Sequence, residues 1–170
     1  MWVAGNETGY DSYTMADQLT ETVLSPVSLV IPCRPEYVAL CRLVAGALCS
    51  RDGVSDEAMS DIKVIVTEAC DCFLAMASDG LRGAGTRGDA TKDVAASDHS
   101  IRLEFDSQPR EFVINALYPE KRELVSWLES CDGLSEAGLG LTILKALTDE
   151  ISESPHAEGT VLRLVKRLPE

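Results

Sequence analysis

The sequence predicts an α/β (α+β) two-layer sandwich: a mixed, mainly antiparallel sheet with helices on one face. Strand-like runs come in pairs joined by short turns, around residues 100–117 and 150–167. Before and between those pairs, apolar residues recur every three or four positions, the spacing of helices packed on a core. At 170 residues the chain is long enough to bury a core of its own.

Residues 1–26 are polar and aperiodic and read as a flexible tail, ahead of a single domain over 27–170. Ser28-Leu29-Val30-Ile31 is a short strand closed by Pro32. Pro35 suits a first helical turn, and Glu36 to about Ser50 follows as a helix with Val38, Cys41, Val44, Ala45 and Leu48 on its apolar face. Arg51-Asp52-Gly53-Val54 ends it at a glycine.

The next helix, Ser55 to about Ala77, is the strongest signal in the chain. Met59, Ile62, Ile65, Val66, Ala69, Phe73 and Met76 form one stripe. Ser55 is placed to cap it, and Asp56 and Glu57 sit in the first turn, where the helix dipole favours negative charge. Glu68 and Cys72 are four apart and leave the helix on the same side, so both can face one ligand. Taken alone, Glu68 reads equally as an ordinary helix carboxylate facing solvent.

Residues 78–99 have little apolar content and several glycines, the profile of a mobile loop. Gly83-Ala84-Gly85 follows no strand, which gives a phosphate-cradling role there little weight. Ser100 to Phe105 alternates, Gln108-Pro109-Arg110 turns, and Phe112 to Leu117 returns as a hairpin. Pro119 then opens a charged helical segment with Leu124, Trp127 and Leu128 on one side, and Ser130-Cys131-Asp132-Gly133 turns again.

Gly138-Leu139-Gly140-Leu141 leads into a helix from Thr142 to Asp149, with Ile143, Leu144 and Leu147 as its buried face. Glycines at a helix start let backbone N–H groups approach an anion; a glycine-capped helix packed tightly on a neighbour accounts for them equally well. Glu150 to Ser154, the turn Pro155 to Gly159, and Thr160 to Arg167 make the last hairpin, and His99 and His156 read as solvated surface residues.

Composition excludes several functions. Hydrophobic residues make up 45% and charged ones 25%, the balance of a soluble globular protein, and no apolar run is long enough to cross a bilayer. With no basic-then-apolar leader at the start, a cytoplasmic location without membrane contact is expected. A net charge of −13 argues against a nucleic-acid surface, which needs clustered Lys and Arg. The cysteines at 33, 41, 49, 70, 72 and 131 show no metal-ligand spacing and read as reduced core thiols, with no metal site.

Two separated motifs carry a family resemblance over about residues 28–168. Ile31-Pro32-Cys33-Arg34-Pro35-Glu36-Tyr37-Val38, then a helix, then Val66-Thr67-Glu68-Ala69-Cys70, resembles the anti-sigma factor serine kinases of bacterial stress and sporulation control. So does Leu134-Ser135-Glu136-Ala137-Gly138-Leu139-Gly140-Leu141 with the following Ala146-Leu147-Thr148-Asp149-Glu150, and Gly159-Thr160-Val161-Leu162 resembles the family's closing strand.

The resemblance implies the histidine-kinase-like (GHKL) ATPase fold. It implies a catalytic role for Glu68, as general base or water-positioner in the family's E-x-x-x-N helix. Gly138, Leu139 and Gly140 take the place of the segment that lies against the nucleotide phosphates, and Thr160 that of the threonine supporting the adenine contact. The family's Mg²⁺-binding Asn is Cys72 here, a soft sulfur where Mg²⁺ prefers oxygen. Near Leu117-Tyr118-Pro119-Glu120 the adenine-binding Asp and its glycines are missing, and Met76 stands where the family often has His.

From these departures a regulator is expected that binds a sigma factor or an anti-anti-sigma protein, with ATP and Mg²⁺ binding weak or absent and kinase activity weakened or lost. The alternative is an active serine/threonine protein kinase of the same family that phosphorylates an anti-anti-sigma protein. A pocket reused for another small ligand, with Cys70 and Cys72 as a thiol pair, ranks last, because residues two apart on a helix point to different sides. The resemblance also makes a homodimer plausible.

Overall fold

The computed structural model describes residues 26–83 and 99–169. Five strands form one sheet in the order β1-β2-β3-β5-β4: β1 Val27–Pro32, β2 Ser100–Gln108, β3 Glu111–Tyr118, β4 Glu150–His156 and β5 Gly159–Arg167. All four pairings are antiparallel, and the register sets Leu29 opposite Leu103, Phe105 opposite Ile114, and Ile114 opposite Leu164. Side chains alternate across a strand, so these residues share one face. The buried cluster joins them to helical residues such as Cys41, Ile62, Ile65, Phe73 and Leu144. The two-layer α/β fold expected from the sequence is present.

A single 3-10 turn, Pro35–Tyr37, precedes α1 (Val38–Arg51), so the regular helix starts two residues later than the sequence pattern suggests. At its end Gly53 takes φ +69, the left-handed conformation that glycine adopts without steric cost. There the Asp52 amide donates to the Leu48 carbonyl at 3.0 Å and the Val54 amide to the Cys49 carbonyl at 2.9 Å, closing the helix.

The long helix α2 (Asp56–Gly83) begins as expected, with the Ala58 amide donating to Ser55 Oγ at 3.3 Å. Its stripe from Ile62 to Met76 is buried, and Met59 lies half-buried at the rim. The expected loop at 78–99 is corrected at its start: helix continues through 83, propagating beyond the buried stripe that ends at Met76. Residues 1–25 and 84–98, with Gly83-Ala84-Gly85 all but its first residue, lie outside the described residues.

Three further boundaries differ from the sequence reading. Pro119 opens no helix: residues 119–123 are irregular and α3 spans only Leu124–Ser130. Helix α4 runs from Glu136 to Leu147 instead of starting at Thr142, because Ser135 caps it and holds the glycines inside its first turns. Its buried face is therefore Ala137, Leu141 and Leu144, with Ile143 and Leu147 only half-buried. Strand β4 extends to His156, paired with Gly159, which leaves only Ala157 and Glu158 as the turn.

Among the described residues no helix is long and apolar enough to cross a membrane.

Candidate functional site

The middle of α2, the first turns of α4, the end of β3 and the start of β5 carry every residue to which the sequence assigned a role. Helices α2 and α4 meet along a seam at Gly140. A Cβ added at Gly140 would lie 3.1 Å from Glu68 Oε2 and 3.2 Å from Cys72 Sγ. The two side chains thus flank one backbone position, as their four-residue spacing requires. Glu68 is half-buried there, not a fully solvated carboxylate, and Cys72 is buried.

The Cys72 thiol is neutral. Burial, then the negative charge of Glu68, pushes its pKa up to about 12. A protonated thiol is a poor ligand for a hard cation, and position 72 carries no amide or carboxylate oxygen. Among the described residues no group of three or more His, Cys, Asp and Glu could hold a metal ion. One turn further along α2, Met76 is fully buried core.

Gly138-Leu139-Gly140 lies within the helix and not in a loop ahead of it. The Gly138 amide donates to Ser135 Oγ at 3.1 Å, and the Leu139 amide to the Ser135 carbonyl at 2.9 Å. Those two N–H groups serve the cap and the helix itself. Ser135 is anchored in turn on the Asp132 carbonyl, through its amide at 2.8 Å and its hydroxyl at 2.5 Å. Any side chain at Gly138 would overlap that carbonyl, so glycine is a packing requirement at this point. Leu139 is exposed.

At the sheet end of the site, Tyr118 is buried against Phe73, with ring centroids 5.3 Å apart. Burial, then the charge of Glu120, raises its phenol to about 12. Thr160 pairs with Tyr118 across the strands and is buried. Its hydroxyl donates to the Arg122 carbonyl at 2.9 Å and accepts the Arg122 amide at 3.1 Å, with the Glu120 carbonyl at 3.2 Å. Thr160 therefore pins the 119–123 segment to β5.

That segment and the α3 helix that follows it are tied down at more points. The Arg122 guanidinium sits 5.7 Å from the centre of the Trp127 ring, and the Val125 amide donates to Glu153 Oε2 at 2.9 Å. Lys145 pairs with Glu129 at 2.9 Å. The adenine-binding Asp and glycines expected after the return strand are replaced by this strapped, aromatic-backed crossing. None of these straps was assigned from the sequence, although Ser135 followed by Glu136 ahead of an apolar run was a legible helix start.

The structure does not bring Cys70 and Cys72 together: Cys72 faces Gly140, whereas Cys70, two residues earlier on the helix, is buried on another side of α2. His156 is exposed, as expected. His99 corrects the surface reading: it is half-buried, and its Nδ1 is out of reach of water with no hydrogen-bond partner among the described residues.

Residues 31–166 match the family model described as histidine kinase-like ATPase domain. The chain is 28% identical over 140 residues to the serine-protein kinase RsbW of Bacillus subtilis (strain 168), covering 79% of this chain and 81% of that protein. It is 30% identical over 146 residues to the protein of the same name from Bacillus pumilus (strain SAFR-032), covering 84% and 86%. The Listeria monocytogenes serovar 1/2a protein of that name is 26% identical over 151 residues, covering 88% and 91%.

Proposed function

Because the chain belongs to the histidine kinase-like ATPase domain family, we propose that it is a cytoplasmic anti-sigma-type regulator that works by binding a sigma factor or an anti-anti-sigma protein, with ATP binding and phosphoryl transfer weakened or lost. The observation that carries this reading is Cys72: a buried, protonated thiol against the Gly140 backbone, where the family resemblance calls for the Asn that holds Mg²⁺. Phosphoryl transfer depends on metal positioning and charge neutralisation, and the donor set here does not fit Mg²⁺.

The adenine side supports the same conclusion. Tyr118 and the strapped 119–123 segment replace the carboxylate that would select the base, and the Thr160 hydroxyl is spent on Arg122. Losing a buried hydrogen bond to the base removes most discrimination among ligands of similar shape.

Isothermal titration of the chain with Mg²⁺–ATP tests the reading. No heat of binding at micromolar concentrations is expected, while a purified sigma factor or anti-anti-sigma protein from the same cell binds without nucleotide. Micromolar Mg²⁺–ATP binding refutes it.

A second reading, an active serine/threonine protein kinase, is favoured by one observation: Glu68 remains half-buried beside Gly140, a placement suited to a base. It requires transfer of labelled phosphate to a partner Ser or Thr and loss of that signal in Glu68→Ala. A flat assay with the wild-type chain eliminates it. A homodimer, which the resemblance suggests, is checked by sedimentation.

A further inference from the structure

Helices α1 and α2 leave a groove between them of about 470 Å³, on the side of α2 turned from Gly140. Lys63 lines it, nine residues before Cys72 and so about half a turn around the helix. Arg42 and Leu43 form the α1 wall, and Met59 and Lys63 the α2 wall. Gly46 lets the Lys63 chain lie across α1, because a Cβ there would fall 2.6 Å from Lys63 Cε. Leu43 is 70% exposed, a large apolar side chain without cover. The chain carries 28 acidic residues against 15 Lys and Arg, yet no carboxylate lines this groove. Among the described residues neither Arg42 nor Lys63 has an ion-pair partner.

The chain ahead of β1 leaves the sheet at one end of this groove. Ser50, in the last turn of α1, lines the groove, and Asp52 and Gly53 just beyond it share a cavity wall with Ser107 and Gln108 of β2. Val27, the first residue of β1, pairs with Phe105, two residues before Ser107. Residues 1–25 carry Glu7, Asp11, Asp17 and Glu21 and no Lys or Arg. Glu21 and Asp17 stand six and ten residues before Val27, a reach of about 20 and 33 Å for extended chain. Along α1, Ser50 to Arg42 spans only about 12 Å.

We propose that the segment holding Asp17 and Glu21 lies in the α1–α2 groove of its own chain. Its two carboxylates pair with Arg42 and Lys63, and Leu19 and Val23 cover Leu43 and Met59. Opposite charge sets the position, and the apolar contacts take Leu43 out of water. Any partner that engages this face must first displace the segment. The inference concerns a different surface from the Gly140 site and is independent of what that site binds.

The test treats the full chain with a water-soluble carbodiimide, which joins an amine to a carboxylate only where the two touch, and maps the products by mass spectrometry. Lys145 with Glu129 and Lys166 with Asp61, paired at 2.9 and 2.8 Å, are the internal standards. Lys63 is expected to join Asp17 or Glu21. In Arg42→Glu, which turns one attraction into a repulsion, that product falls about threefold to tenfold while the standards are unchanged. A mixture of ¹⁵N-labelled and unlabelled chains is expected to give this product within single chains only. Lys63 joined to no carboxylate, or only to those of residues 26–169, overturns the proposal. So does a yield that Arg42→Glu leaves unchanged, and so does a product joining labelled to unlabelled chains, which makes a second copy the occupant.

Discussion

Gly138→Ala is the sharpest probe of the α4 entry. The added Cβ falls on the Asp132 carbonyl, a backbone group that cannot rotate aside. That carbonyl holds Ser135 through an amide bond of 2.8 Å and a hydroxyl bond of 2.5 Å, and Ser135 in turn caps the Gly138 amide at 3.1 Å. Relieving the overlap pulls on all three hydrogen bonds. At about 0.5–1.5 kcal/mol each they amount to about 1.5–4.5 kcal/mol. Alanine in place of glycine returns about 1 kcal/mol of helix propensity. The net loss is about 0.5–3.5 kcal/mol, or roughly 2–12 °C in melting temperature for a chain of this size.

Urea denaturation followed by far-UV circular dichroism measures that loss, with Gly140→Ala in parallel. At Gly140 the new Cβ meets side-chain tips, Glu68 Oε2 at 3.1 Å and Cys72 Sγ at 3.2 Å, and half-buried Glu68 can swing away. Crowding and propensity then nearly cancel, and stability changes by less than about 1 kcal/mol. If Gly138→Ala is as stable as wild type, or if Gly140→Ala is the worse of the two, the account of the α4 entry is wrong.

Other perturbations read other parts of the fold. Thr160→Val strips the hydroxyl from the Arg122 amide and carbonyl and costs about 1–3 kcal/mol; hydrogen exchange at the Arg122 amide accelerates, and Thr160→Ser restores most of the protection. Phe73→Ala empties the space beside Tyr118 and costs about 3–5 kcal/mol in the same urea assay. Stability also depends on pH on the alkaline side. Cys49, Cys72 and Tyr118 hold their protons to about 11, 12 and 12 when folded, against ordinary values near 9 for the thiols and 10 for the phenol. The unfolded chain thus releases protons first, so these groups add stability below pH 9 that is lost as pH rises towards 12. A urea midpoint unchanged between pH 8 and pH 11 refutes this.

Periodicity made the sheet and α2 readable, because both present a single buried face and a misplaced register would turn that face to water. Ile62, Ile65, Phe73 and Met76 announced their burial at a spacing only a helix satisfies. The start of α4 was harder. Gly138 and Gly140 have poor helix propensity and read as a loop, and the Ser135 cap together with close packing at Asp132 and Glu68 accounts for the helix that keeps them. Continuation of α2 past Ala77 was hidden for a related reason: Gly80 and Gly83 have poor helix propensity and read as a loop, yet an established helix propagates through them.

At the site, spacing alone put Glu68 and Cys72 on one side of α2, and the structure shows both beside Gly140. Sequence gave no hint that Thr160 spends its hydroxyl on Arg122, thirty-eight residues away in the chain. The partial burial of His99 was equally invisible, since a lone polar residue next to a strand carries no periodic signal.

The position of β5 has a consequence for how the protein is made. It is the last strand in sequence, yet it lies between β3 and β4. A growing chain that has emerged only as far as His156 exposes the inner edge of β3 and leaves β4 with no neighbour to bond. The sheet closes only when the stretch ending at Arg167 clears the ribosome. A chain interrupted before that point therefore presents an open, largely apolar strand to the cell, a target for chaperones and proteases.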